Sequence, residues 1–150
     1  MATTITSQNL TVTISETIVL NNQQINSENQ LVIPNINEVG KRIVTIPTSS
    51  EVTILNFGTV VAAGTYIAAN VKYIRITNKD NTNFVRIRVT KTTGQTFDVK
   101  VDAGQSFIMS NVKESASTNA AAFSAFVDAD SIAGQADTAN VDIEFFIASI

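Results

Sequence analysis

Four short runs of alternating apolar and polar residues between Val71 and Ser110 constrain this chain more than any other feature. They are Val71-Lys-Tyr-Ile-Arg-Ile-Thr77, Phe84-Val-Arg-Ile-Arg-Val-Thr90, Thr96-Phe-Asp-Val-Lys-Val101 and Gln105-Ser-Phe-Ile-Met-Ser110. The segments between them, Asn78–Asn83, Lys91–Gln95 and Asp102–Gly104, are built from Asn, Asp, Gly and Thr. A period of two marks half-buried strands, and these residues mark tight turns. The spacing predicts an antiparallel meander over residues 71–110. Val85, Ile87 and Val89 form one apolar row, with Phe97, Val99 and Val101 as its match and Phe107 and Met109 continuing it. Such a face must be buried, and a second sheet from the N-terminal half is the simplest cover.

The rest of the chain reads as further short strands. Ala2 to Leu20 alternates, with Leu10, Val12 and Ile14 on one face against Thr11, Thr13 and Ser15. Asn21 to Gln30 reads as a polar loop or wide turn, and Gln30 to Ile33 as a short strand ended by Pro34. Asn35 to Gly40 reads as a turn, Lys41 to Ile46 as a strand ended by Pro47, and Val52 to Phe57 as another. Thr59 to Ala63, bracketed by Gly58 and Gly64, is an edge strand or a turn between sheets. Asn111 to Asn140 is rich in Ala, Ser and Asp, and its main large apolar residues are Phe123, Phe126, Val127 and Ile132. Ser131 to Ala136 fits one helical turn capped by Ser131, or part of a long irregular loop. Val141 to Ile147 is a final strand with Phe146 on the face opposite Phe145, covered by a loop or by a neighbouring subunit. The expected fold is all-β, an antiparallel β-sandwich or jelly roll of about eight to ten short strands. One domain spans residues 1–150. Its N-terminal arm, about residues 1–15, either tucks into its own sheet or offers a free edge to a neighbour.

Composition narrows the function. The chain has no Cys and no His, which removes the usual zinc, haem and iron–sulfur sites, Cys nucleophiles and Ser-His-Asp triads. Charged residues are 15% of the chain, against roughly 25% in ordinary globular proteins. A surface of Thr, Asn, Ser and Gln suits a protein packed beside its own copies. The net charge of −3 argues against nucleic acid, which needs clustered Lys and Arg. The densest basic group is Lys72, Arg75, Arg86, Arg88 and Lys91. Arg86 and Arg88 share a strand face, as do Asp98 and Lys100, so cross-strand charge pairing is expected. No apolar run nears the ~20 residues of a membrane span, and the N-terminus lacks the basic and apolar regions of a signal peptide. The expectation is therefore no nucleic-acid and no membrane partner, and synthesis in a cytoplasm.

Candidates for chemistry are few. Asp128, Asp130 and Asp137 are oxygen donors that would suit calcium, but their spacing fits no EF-hand loop, so a solvated acidic turn is the simpler reading. The 13 Asp and Glu allow a glycosidase pair, but most sit in turns or opposite apolar strand faces. With no Trp and two Tyr, a sugar platform is poorly supplied. No Ser-x-x-Lys occurs, and Gly58, Gly64, Gly94 and Gly104 are dispersed, so no phosphate-cradling loop forms. No catalytic residue, cofactor or metal site is expected.

Several segments resemble a family of small virion proteins of tailed phages, especially marine and cyanobacterial ones. They are Val71–Val85, Phe97–Met109, the opening Thr4-Ile-Thr-Ser-Gln-Asn-Leu-Thr-Val12, Lys41–Thr45 and Ser131–Asp142. The resemblance touches most of the chain and brings no catalytic residues. It implies a structural protein of the virion, made in the host cytoplasm. The first expectation is a capsid decoration or cement protein, self-associating (a trimer by analogy) and contacting the major capsid protein. The alternative is a tail or fibre component acting as a host-receptor adhesin through residues 111–140. The remote alternative is a carbohydrate-acting tail enzyme.

Overall fold

In a computed structural model, which describes residues 4–115 and 125–150, the chain begins with a long hairpin of β1 (Gln8–Leu20) and β2 (Gln23–Ile36). Ten shorter strands follow. They are β3 (Glu38–Ile46), β4 (Val52–Gly58), β5 (Thr65–Ile67), β6 (Val71–Asn78), β7 (Val85–Lys91), β8 (Thr96–Val101), β9 (Ser106–Met109), β10 (Lys113–Glu114), β11 (Val127–Ala136) and β12 (Val141–Ser149). A single 3-10 turn, Ala68–Asn70, leads into β6.

Three sheets result. The hairpin is one. A second has the order β5-β4-β11-β7-β8, with β10 beside the start of β11, and a third has the order β3-β12-β6-β9. Pairing is antiparallel throughout except between β4 and β5. The second and third sheets face each other across one apolar core, a sandwich-like arrangement. Ile74, Ile76, Ile143 and Ile147 meet Val85, Ile87, Val89 and Ile132 there, all at 0% exposure. Phe107 and Met109 do line this core, but from the sheet opposite Phe97 and Val99.

Residues 71–110 form four strands where alternation places them, but not a meander. β7 pairs with β8, whereas β6 pairs with β12 and β9. The chain crosses between sheets after β6 and returns at β9. Asn78 is the cause. Fully buried at the end of β6, its side-chain amide donates to the carbonyls of Asn83, at 2.9 Å, and Val101, at 3.1 Å. The Val101 bond ties the end of β6 to β8 of the other sheet, and the Asn83 bond holds the link that leads to β7.

Three further expectations are corrected. Asn21 to Gln30 is not a loop, because only Asn21 and Asn22 turn, at φ 50° and 64°, and β2 starts at Gln23. A two-residue turn with both φ positive matches the twist of its flanking strands, and Asn tolerates it. Pro34 does not end a strand. It sits in a bulge with Asn35, at φ 63°, where Leu10 faces Ile33 and Gln8 faces Ile36. Ser131 to Ala136 is not a helical turn but the second half of β11, paired with β7 throughout and with β4 as far as Gly134. Phe123 lies outside the described residues.

Candidate functional site

The hairpin gives this molecule its distinctive surface. β1 and β2 are far longer than the body strands, and every residue from Thr13 to Val32 is exposed. At a rise of about 3.3 Å per residue, these eight residue pairs and their turn project roughly 30 Å. Only the base is held. There Leu10, Val12, Ile33 and Ile36 pack with Tyr73, Phe146, Ala148 and Ile150. The Tyr73 and Phe146 rings meet edge-on at 6.1 Å. Phe146 is thus covered by the molecule's own arm.

Register assigns the arm two unlike faces. Ile14, Ile18, Leu20, Ile25 and Leu31 share the side that carries Leu10 and Ile33 at the base. Glu16, Ser27 and Asn29 interrupt it. Thr11, Thr13, Ser15, Thr17, Gln24, Asn26, Glu28 and Gln30 fill most of the other side, with Val19 and Val32 as its two apolar members. Ile18 is 48% and Ile25 55% exposed. The arm thus has the alternation of a half-buried sheet, and among the described residues nothing lies over its apolar side beyond the base.

The arm base rests on the outer face of the third sheet. Away from the base, that face carries a polar strip. Arg75 donates to Glu144 at 2.7 Å and to the Thr77 hydroxyl, and Lys41 reaches Glu144 at 3.5 Å. The Arg75 hydrogen bond holds the Glu144 carboxyl below its ordinary range, with Lys41 adding to it. The Thr45 hydroxyl donates to Asp142 at 2.6 Å. Along edge strand β3, the outward row reads Val39, Lys41, Ile43, with both apolar members more than half exposed.

The outer face of the second sheet shows the expected charge pairing. Arg88 holds Asp98 through two bonds of 2.7 and 2.9 Å, and Glu51 lies 3.0 Å from Arg88 and 3.5 Å from Arg86. Arg86 also donates to Gln135 at 2.6 Å. The Arg88 hydrogen bond pulls the Asp98 pKa down, and the same bond raises that of Arg88. The five basic residues do not form one patch. Arg75 lies on the opposite sheet from Arg86 and Arg88, and Lys91 is buried 3.6 Å from Glu114.

The aspartates proposed for calcium are spread along β11 and past its end. Asp128 pairs with Lys113 at 2.7 Å, Asp130 is exposed, and Asp137 follows the strand, about 30 Å along it from Asp128. Among the described residues, no three Asp, Glu, His or Cys form a group able to hold a metal ion. Asp80 instead serves the turn after β6. Its carboxylate accepts the backbone N–H groups of Thr82 and Asn83, both at 2.7 Å, and these bonds lower its pKa, Asn83 most. An open hollow of about 730 Å³ lies by Ile108, Met109, Ser110, Asn111, Lys113 and Phe126.

The arm was the surface that sequence reasoning placed only in part. It left residues 1–15 either tucked into their own sheet or offered to a neighbour, and of the return strand it placed only Gln30–Ile33. The signal was present in Asn21-Asn22, a two-residue turn between equal runs. No protein-family model, curated protein or solved structure matches the chain.

Proposed function

We propose that this chain is a non-enzymatic structural protein of a phage particle, a decoration or cement protein of the capsid, and that it assembles through its projecting arm. One observation carries the reading: residues 13–32 form a regular hairpin with one apolar side, wholly exposed in the single chain. A lone two-stranded hairpin is marginal in water, so a sequence that alternates this regularly serves a surface that covers it. The body supports the same role. Its chain crosses repeatedly between two facing sheets, and we read it as a jelly-roll-like sandwich, a rigid platform for an arm.

The phage setting rests on the resemblance of Thr4–Val12, Lys41–Thr45, Val71–Val85, Phe97–Met109 and Ser131–Asp142. In that setting the partners are further copies of the chain, in a trimer by analogy, and the major capsid protein, each contact being modest and strengthened by copy number. The protein is made in the host cytoplasm and ends in the virion. A second reading, a tail or fibre adhesin, is favoured by the hollow beside Ile108 and Phe126, within and next to residues 111–140. A carbohydrate-acting enzyme has less support, because Glu51, Asp98, Glu114, Asp128 and Glu144 are engaged in ion pairs.

The test is the position and copy number of the protein in purified particles, by cryo-electron microscopy with quantitative mass spectrometry. Hundreds of copies on the head are expected. A few dozen at one vertex would transfer the assignment to tail or fibre, and absence from the particle would overturn both.

A further inference from the structure

We infer that the arm's apolar side docks on a second copy of this chain, across the outward row Val39–Lys41–Ile43 of β3. The inference rests on the arm-mediated assembly just proposed and names its landing site. Three observations lead to it.

The first is continuity. Inside one subunit, the same two surfaces already meet. Leu10, Val12 and Ile33, on the arm's apolar side, cover Tyr73, Phe146 and Ala148 on the outer face of the third sheet. Val39 is opposite Ala148, and Lys41 opposite Phe146, so the exposed row borders that contact. A second arm placed there would extend an interface the fold already contains.

The second is complementarity of pattern. Along β1 the arm presents Ile14, Glu16 and Ile18, and along β3 the body presents Val39, Lys41 and Ile43. Each is a strand row of apolar, charged, apolar, with the charge in the centre and of opposite sign. Residues two apart on a strand have the same spacing on both, about 6.6 Å. Laid face to face, Glu16 meets Lys41 while isoleucines meet Val39 and Ile43, whichever way the rows run. Lys41 keeps 61% of its side chain exposed while reaching Glu144, so it can serve both carboxylates.

The third is area. An arm about 26 Å long and two strands wide covers about 250 Å². Counting both surfaces, one docked arm removes about 500 Å² from water, well under a specific interface, whereas two reciprocal arms reach about 1,000 Å², its lower limit. Mutual exchange of arms in a pair therefore reaches the threshold that a single one-way contact does not, and a reciprocal pair replaces the trimer of analogy.

Sedimentation velocity of the full chain tests this, with Glu16→Lys, Lys41→Glu and the double reversal. The wild type is expected to self-associate. Each single reversal should weaken that at least about tenfold, by setting like charges together, and the double should restore it. Rescue by the double also answers the objection that Lys41→Glu harms its own sheet beside Glu144. A second measurement uses the absence of cysteine. Chains carrying Glu16→Cys, mixed with chains carrying Lys41→Cys, should be joined into a heterodimer by a short bis-maleimide, because facing strand layers lie about 10 Å apart, beyond the reach of a direct disulfide. If Ile18→Thr with Ile25→Thr abolishes association while both reversals leave it intact and no heterodimer forms, the landing site is wrong and the arm reading survives. If the arm variant is also without effect, both fall. A wild type that stays monomeric to about 100 µM, well above the Kd of a specific interface, overturns the docking onto a second copy.

Discussion

Replacing Ile18 and Ile25 together by Thr separates a free arm from a docked one. The two face each other across the hairpin and are 48% and 55% exposed, so about half of each side chain is still open to water. Full burial of an Ile side chain contributes roughly 1.5–3 kcal/mol, so covering the open half contributes about 1 kcal/mol each. One arm then carries about 2 kcal/mol and a reciprocal pair about 4 kcal/mol, or about 1,000-fold in dimer Kd. Thr retains strand propensity, and surface changes of this kind alter a lone chain by no more than about 0.5 kcal/mol. Sedimentation equilibrium reads the Kd. Melting at two protein concentrations supplies the second reading, because a dimer's Tm rises with concentration and a monomer's does not. The variant should lose that dependence while keeping the wild-type Tm at the lowest concentration. An unchanged Kd would refute the reasoning. So would a loss of about 2 kcal/mol in the monomer itself, because the arm would then be packed on its own body.

Other expectations concern the body. Asn78→Ala removes three hydrogen bonds at a fully buried site, two donated by its amide and one accepted from the Asp80 N–H, and should cost about 2–4 kcal/mol in urea unfolding. A cost under about 1 kcal/mol would mean Asn78 does not hold the crossover. Lys91→Met strands Glu114 as a buried charge and should cost about 3–5 kcal/mol, while Lys91→Met with Glu114→Leu should recover most of it in the same assay. Asp80, Asp98 and Glu144 all titrate lower in the folded chain than normal. Their contribution is complete above the unfolded carboxylate value of about 4 and disappears as pH falls through the lowered folded values. Melting temperature should therefore fall as pH drops below about 4, and Asp98→Asn should flatten the slope. A slope unchanged by that substitution would sink the assignment.

Strand positions in the body were legible because the body buries one face of each strand. Val71–Asn78, Val85–Lys91 and Thr96–Val101 fall within a residue or so of their alternating runs. Their partners were not legible. Asn78 reads as a turn former, and its bonds to Val101 exist only once the two sheets meet. β11 was hidden by its small residues, since Ala, Ser and Gly show little β propensity. Their size has a structural reason, for a Cβ at Gly134 would stand 3.0 Å from the Ile54 side chain. Only Gln30–Ile33 of β2 was legible as a strand, and its first half was hidden because Gln, Asn, Ser and Glu occupy both its faces, so Ile25 looked isolated. The charge pairing of Arg88 with Asp98 was legible, because directly opposed residues on neighbouring strands need no tertiary information.

That β2 reads poorly as a strand is itself informative. The strands of the body bury apolar rows in every chain, so selection for folding alone writes the alternation clearly. β2 carries only enough of it to line one side of the arm, and its remaining positions between Gln23 and Gln30 are amides, a hydroxyl and the carboxylate of Glu28. Such a hairpin gains little from its own body beyond Val12 and Ile33, yet it keeps Ile14, Ile18, Leu20, Ile25 and Leu31 on one side across its whole length. Solubility of a single chain would be better served by polar residues at those positions, and an exposed apolar strip of this length is an aggregation hazard. In the proposed assembly, docking on a second copy removes that hazard. Glu16 would then act as the gatekeeper of the strip: it would discourage arm-to-arm stacking, where it meets its own copy, and favour a surface that offers a cation between two apolar side chains.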